Sequence, residues 1–237
     1  MANPYFSFKQ FTVYHDRCAM KVGIDGVLLG AWSNVENSKH ILDIGTGTGL
    51  IALMLAQRSS SIIDAIEIDS DAVEQAIENI ERSPWTNRIK VHEISLQSFA
   101  EITLQRYDLI VSNPPYFVNS MKTPSLIRTT ARHTDTLTHE ELILNSIALL
   151  KPTGRICIIL PVKEAELCKS FALSKKVYCT REAHVIPKPN AEAKRILMEF
   201  SLQFSPLKLT ELVIESNERH HYSDEFGELA KEFYLKL

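Results

Sequence analysis

Between residue 40 and about residue 173, short apolar runs alternate with segments of helical periodicity, and this alternation constrains the fold of the 237-residue chain more than any other feature. Strands separated by helices build a parallel sheet covered on both faces. The expectation is therefore an α/β fold with a doubly wound, mostly parallel sheet. His40-Ile41-Leu42-Asp43-Ile44 reads as the first strand, Gly45 to Gly49 as its turn, and Leu50 to Arg58 as a helix with Leu50, Leu53 and Met54 facing inward. Ile62 to Ile68 is a second strand, and Ser70 opens a helix whose Val73, Ala76, Ile77 and Ile80 form an apolar stripe. Arg88 to Ile94 and the run ending at Ser112 supply two more strands. Thr138-His139-Glu140-Glu141 has the pattern of a capping box for a helix running to Lys151. Pro152-Thr153-Gly154 then turns into a strand from Arg155 to Leu160. Val177 to Ile186 and Arg195 to Phe204 read as an antiparallel hairpin across Pro187-Lys188-Pro189-Asn190 that closes the edge of the sheet. The length suits one domain, divided into an N-terminal segment 1–39, a core 40–204 and a C-terminal extension 205–237.

Composition narrows the class. Apolar residues make up 45% and charged residues 23%, with a net charge of −3, the profile of a soluble globular protein. No apolar stretch approaches a membrane span, and the first thirty residues lack a signal peptide's apolar block, so a cytoplasmic protein is expected. The four cysteines, Cys18, Cys157, Cys168 and Cys179, form no C-x-x-C pair and read as free thiols or small buried hydrophobes. Arg219-His220-His221 lacks a third ligand nearby, so no metal site is expected.

Six of the eight glycines fall between Gly23 and Gly49, concentrating backbone freedom where a ligand would need close approach. Asp43-Ile44-Gly45-Thr46-Gly47-Thr48-Gly49 follows a strand and opens a helix, the context in which a glycine-rich turn binds a nucleotide-like ligand. Leu50 stands where the dinucleotide fingerprint requires Gly or Ala. The spacing better suits a cofactor without phosphates, whose carboxylate can use the helix N-terminus. Glu67, at the end of the second strand, can accept from both hydroxyls of a ribose. Asn113-Pro114-Pro115-Tyr116 ends the strand Leu109 to Val111, at the edge where open α/β sheets place ligands. Two prolines fix φ and remove two N–H donors, so Asn113 and the Pro114 carbonyl offer two acceptors to one planar N–H₂ group. Tyr116 offers a ring for stacking. An ordinary strand-ending turn uses the same residue types.

Together, Asp43 to Gly49, Glu67-Ile68-Asp69 and Asn113 to Tyr116 resemble the Rossmann-like class I S-adenosylmethionine-dependent methyltransferases that act on the exocyclic amine of adenine. Phe8 to Phe11, Asp16 to Gly23, Asp25 to Trp32, Ser83-Pro84-Trp85 and Ala131-Arg132-His133 extend the likeness to the bacterial tRNA(Val) adenine-N6 methyltransferases, over nearly the whole chain. The resemblance implies S-adenosyl-L-methionine as cofactor, with S-adenosyl-L-homocysteine as product. It implies cofactor contacts from Lys21, Gly23, Asp25, Asp43, Gly45, Gly47, Gly49, Glu67, Ile68, Ser95, Leu96 and Asn113. Many relatives carry Asp where this chain has Ser95, which can still make one hydrogen bond. Asn113, Pro114, Pro115 and Tyr116 would be catalytic, and the implied substrate is adenine 37 in the anticodon loop of tRNA(Val).

Adenine N6 is a poor nucleophile because its lone pair is delocalised into the ring. Hydrogen bonds to Asn113 and the Pro114 carbonyl favour a pyramidal nitrogen aimed at a methyl donor. Tyr116 stacking is worth about 1–3 kcal/mol. Phosphates could be gripped by Arg17 in the N-terminal segment, by Lys122, Arg128, Arg132 and His133 in the long connection from Phe117 to Thr136, and by Lys188 at the hairpin turn. These residues equally suit solvated loops. A monomer is expected. A protein-glutamine methyltransferase, which would use the same Asn-Pro-Pro-Tyr on a side-chain amide, N6-adenine methylation of another RNA or of DNA, and a noncatalytic nucleic-acid-binding module remain as other readings.

Overall fold

The structure, a computed structural model, describes residues 3–18, 21–114, 137–217 and 221–236. A short antiparallel hairpin, β1 (Tyr5–Ser7) with β2 (Thr12–Tyr14), precedes α1 (Ile24–Trp32). Strands and helices then alternate as β3 (His40–Ile44), α2 (Leu50–Arg58), β4 (Ile62–Glu67), α3 (Ser70–Glu81), β5 (Ile89–Glu93), α4 (Leu96–Ile102) and β6 (Tyr107–Ser112). The second half runs α5 (His139–Leu149), β7 (Leu150–Pro161), α6 (Val162–Ser174), β8 (Tyr178–Ile186), β9 (Arg195–Ser201), β10 (Lys208–Val213) and α7 (Asp224–Ala230).

Eight strands form one sheet in the order β10-β8-β9-β7-β6-β3-β4-β5, with β3 to β7 mutually parallel. The chain winds outward from β3 through β4 to β5, then restarts beside β3 with β6 and winds the other way. A crevice opens where the direction reverses, outside the carboxyl ends of β3 and β6. Successive strand residues face opposite cores: Ile41, Ile63 and Leu109 join one cluster, and Leu42, Ile66 and Ile110 the other. Because both faces are covered, the strands read as continuous apolar runs.

Several sequence expectations shift. Ile77 is 39% exposed, while Gln75 and Asn79 on α3 are buried. Asn79 donates from Nδ2 to the carbonyls of Tyr14 and Thr48, each at 2.9 Å, and accepts from the Tyr14 amide at 2.9 Å, so a polar residue occupies the inward face by fastening the end of β2 to the turn before α2. The capping box at Thr138 and Glu141 is present, but α5 stops at Leu149 and residues 151–154 belong to β7. There the register against β6 shifts between Tyr107 and Leu109, and Gly154 lies where a Cβ would stand 2.8 Å from the Tyr107 carbonyl oxygen. The β8–β9 hairpin is antiparallel, as read, but does not close the sheet: β10 adds a further strand parallel to β8. Gly26 and Gly30 serve helix packing: a Cβ on Gly30 would come 2.8 Å from Met54 Sδ and 3.0 Å from Met54 Cβ, so α1 lies directly on α2. Among the described residues, no helix is long and apolar enough to cross a membrane.

Candidate active site

The turn from β3 into α2 needs three left-handed backbone positions, and Gly45, Gly47 and Gly49 supply them with φ of 68°, 54° and 81°. The Gly45 and Thr46 amides donate to the Ile66 carbonyl at 2.9 and 3.1 Å, which pins the turn to the end of β4. From β4 the Glu67 carboxylate reaches back: Oε2 accepts from the Gly47 amide at 3.0 Å, and Oε1 from the Ile68 and Asp69 amides at 2.8 and 3.1 Å. Glu67 thus shapes the turn and holds a fixed acceptor beside it.

Under the turn, Asp43 is fully buried, its Oδ2 accepting from the Thr46 hydroxyl at 2.6 Å and the Ala52 amide at 3.2 Å. Burial pushes its carboxyl up to about 7 against the lowering effect of those two hydrogen bonds, and Glu67 nearby adds to the rise. Ser95 is the N-cap of α4, accepting from the Ser98 amide at 3.2 Å and donating to Ser98 Oγ at 3.1 Å. On β6, Ser112 Oγ donates to the Ile44 carbonyl at 3.0 Å and locks the strand end that carries Asn113 beside the glycine turn.

These elements enclose a cavity of about 670 Å³ at the carboxyl edge of the sheet. Of the residues expected to meet a cofactor, Lys21, Gly23, Asp25, Gly45, Gly47, Glu67, Ile68, Ser95, Leu96 and Asn113 all line it. Two do not. Asp43 acts from below, through Thr46 and the first turn of α2, and Gly49 turns away from the cavity toward Ala76, 3.5 Å from where its Cβ would be. Pro114 is buried beside Asn113, and Pro115 and Tyr116 lie outside the described residues. Among the expected RNA contacts, Arg17 pairs with Glu74 at 3.4 Å and Glu78 at 2.9 Å on α3, and Lys188 is exposed between β8 and β9. Lys122, Arg128, Arg132 and His133 lie outside the described residues.

Lining residues outside the expected cofactor contacts include Cys18 and Arg195. The Cys18 thiol is pushed up to about 11, by burial first and then by Asp69, Glu67, Asp16 and Asp71, so it is a neutral wall of the cleft. Arg195, at the start of β9, donates from Nε to Asp25 Oδ2 at 2.8 Å. Nothing local marks it, because its partner lies 170 residues away. Among the described residues, no group of three or more His, Cys, Asp or Glu side chains could hold a metal ion.

The lining suits a nucleoside cofactor without phosphates. Open space faces Gly45 and Gly47 where side chains would stand, Glu67 presents carboxylate oxygens at the rim, and Ile66, Ile68 and Ile94 make an apolar wall. A doubly wound sheet with this glycine turn and a polar Asn-Pro end on the fourth parallel strand defines a class I methyltransferase. Residues 26–183 match the methyltransferase small domain family. Over their full lengths, the chain is 55% identical to the tRNA1(Val) (adenine(37)-N6)-methyltransferase of Parabacteroides distasonis and 50% identical to that of Trichodesmium erythraeum. The chain belongs to this family of tRNA1(Val) (adenine(37)-N6)-methyltransferases. Its fold is also that of a predicted O-methyltransferase from Agrobacterium tumefaciens, 17% identical with a TM-score of 0.71 over 88% of this chain and 96% of that one. The ribosomal protein L11 methylase of Lactobacillus delbrueckii aligns with a TM-score of 0.57 at 14% identity, over 80% and 83% of the two chains.

Proposed function

We propose that this protein methylates the exocyclic N6 of adenine 37 in tRNA1(Val), using S-adenosylmethionine. The observation that carries this reading is that Asn113 faces the same cleft as the glycine turn and Glu67, in a chain alike from end to end to methyltransferases named for that nucleotide. Glu67 would hold the ribose, the turn at Gly45 and Gly47 with the Lys21 to Asp25 segment the amino-acid end, and Ser95 with Leu96 the adenine edge. Bound there, S-adenosylmethionine supplies an electrophilic methyl group.

The chain's own residues do the rest. The Asn113 side-chain oxygen and the Pro114 carbonyl accept from the two N6 protons, draw the nitrogen out of conjugation, and point its lone pair into the cleft. As N6 gains positive charge those protons become more acidic, and the same acceptors stabilise them until one is lost to water. No nucleophilic side chain is needed. Tyr116 stacks on the extruded base, and Lys122, Arg128, Arg132, His133 and Lys188 meet phosphates, whereas Arg17 is engaged by Glu74 and Glu78. An anticodon-loop adenine is already partly unstacked, which lowers the cost of extrusion.

The test is incubation with S-adenosylmethionine and unmodified tRNA, followed by nucleoside mass spectrometry and fragment mapping. N6-methyladenosine beside the anticodon of a valine tRNA is expected, and methyl found only on protein glutamine, or only in DNA, would overturn the assignment. Asn113→Ala should abolish turnover while leaving cofactor affinity within about threefold, since the amide acts on the target amine; near-normal turnover would refute the role of Asn113.

A further inference from the structure

Cys18 and residues 21–25 line one side of the cleft, and the described chain at either end of this stretch is tied to a different side of the sheet. At one end the Arg17 amide donates to Gln75 Oε1 at 3.2 Å and its guanidinium pairs with Glu74 and Glu78, all on α3 beyond β4. At the other end Asp25, in the first turn of α1, takes the guanidinium of Arg195 at the head of β9. β9 stands on the far side of β7 and β6 from β4, so the two ties lie on opposite sides of the cleft. Past Asp25 the path is rigid, because Gly26 and Gly30 seat α1 on Leu50 and Met54 of α2.

Both members of the Asp25–Arg195 pair line the cleft. Their side chains are 17% and 31% exposed, so water screens the pair only in part. Arg195 also donates from Nη1 to the Lys194 carbonyl at 3.0 Å, which orients the guanidinium toward Asp25 instead of outward. The N-cap of α1, Gly23, has no side chain to cap the helix, and the ion pair fixes Asp25 in its first turn.

We propose that Arg195 is a positioning residue of the methyl-transfer site: through Asp25 it clasps the Lys21–Asp25 wall across the cleft and so sets how tightly the cofactor is held. The proposal rests on the cofactor assignment made above. A plain structural ion pair would alter global stability; a clasp alters cofactor retention and local opening of one segment. Arg195 as a tRNA phosphate ligand would instead alter RNA affinity without touching the cofactor.

Calorimetric titration of the full-length protein with S-adenosylmethionine, without RNA, separates these cases. Arg195→Gln and Asp25→Asn should each weaken binding about tenfold, the double variant should be no weaker than either single one, and Arg195→Lys should recover at least half of the loss. Hydrogen exchange of the ligand-free protein should show faster exchange confined to residues 21–27 in Arg195→Gln, with α2 and β6 unchanged. In steady state the cofactor KM should rise more than kcat falls. Unchanged cofactor affinity with weakened tRNA binding, additive losses in the double variant, or exchange raised throughout the molecule would overturn the clasp. If the parent binds S-adenosylmethionine but leaves tRNA unmethylated, the substrate assignment fails and the clasp stands. If the parent does not bind it, the cofactor assignment fails, and the exchange experiment alone decides whether the pair holds the wall.

Discussion

Asp43 couples the glycine turn to pH. Its carboxyl is raised from 3.8 to about 7, so the folded protein retains a proton that the unfolded chain releases near pH 4. The stability contributed by the protonated form is complete below pH 4 and is lost as pH rises through about 7. Asp43→Asn keeps an oxygen for Thr46 and Ala52 and removes the ionisation. Urea unfolding should therefore show the variant gaining on the parent, by on the order of a few kcal/mol, between about pH 4 and pH 8; parallel stability profiles would show that Asp43 does not titrate in this range. Glu67 makes a different demand. Its two oxygens serve three backbone amides, at Gly47, Ile68 and Asp69. A glutamine can offer only one oxygen, and its amine would confront an N–H donor. Glu67→Gln should consequently weaken S-adenosylmethionine nearly as much as Glu67→Ala, by roughly 1.5–3 kcal/mol on calorimetric titration. A Gln variant that binds like the parent would mean that the carboxylate is not the ribose acceptor.

Among the elements, α1 shows most clearly what an inward face of glycine does. Gly30→Ala drives a methyl group to 2.8 Å from Met54 Sδ and 3.0 Å from Met54 Cβ, and part of that clash cannot be relieved by rotating the side chain. The expected cost is about 1–3 kcal/mol in denaturant unfolding. Gly227→Ala in α7 meets nothing within 4 Å and should stabilise the protein by about 0.4–1 kcal/mol. Equal effects at the two positions would discount the close packing of α1 on α2. Such reasoning also explains which elements the sequence disclosed. β3, β4 and β6 were legible because burial on both faces leaves apolar runs bounded by Gly, Asp or Asn. α1 was not read as a helix: Gly26 to Ala31 are all buried, so it has no polar face and no period to detect. β10 escaped because Lys208 to Glu211 are exposed and the strand lies at the edge of the sheet, paired to β8. Asn79 for Ile77 on the inner face of α3 was likewise unreadable, since its partners, Tyr14 and Thr48, are distant in sequence.

For the whole molecule, the cleft is a shared boundary of segments from the N-terminal wall, the first βα turn, β4, β6 and β9. A ligand that bridges them stabilises the entire fold, so S-adenosylmethionine at a hundredfold excess over Kd should raise the unfolding free energy by about 2.7 kcal/mol, with a concentration-dependent melting temperature. A melting temperature indifferent to the cofactor would contradict binding at this site. Within the site, the turn, Glu67 and Asn113 were legible because each ends a strand at a fixed place in the fold. Arg195 was not, because its meaning depends on Asp25 across the sheet. That separation has a consequence for synthesis. Asp25 leaves the ribosome 170 residues before Arg195, which at 5–20 residues per second is roughly 10–30 s. During that interval the nascent chain gains Glu67 and Asn113 but lacks Arg195, so the proposed clasp on Asp25 cannot form. If the clasp acts as proposed, an incomplete chain would hold the methyl donor less tightly until β9 is made.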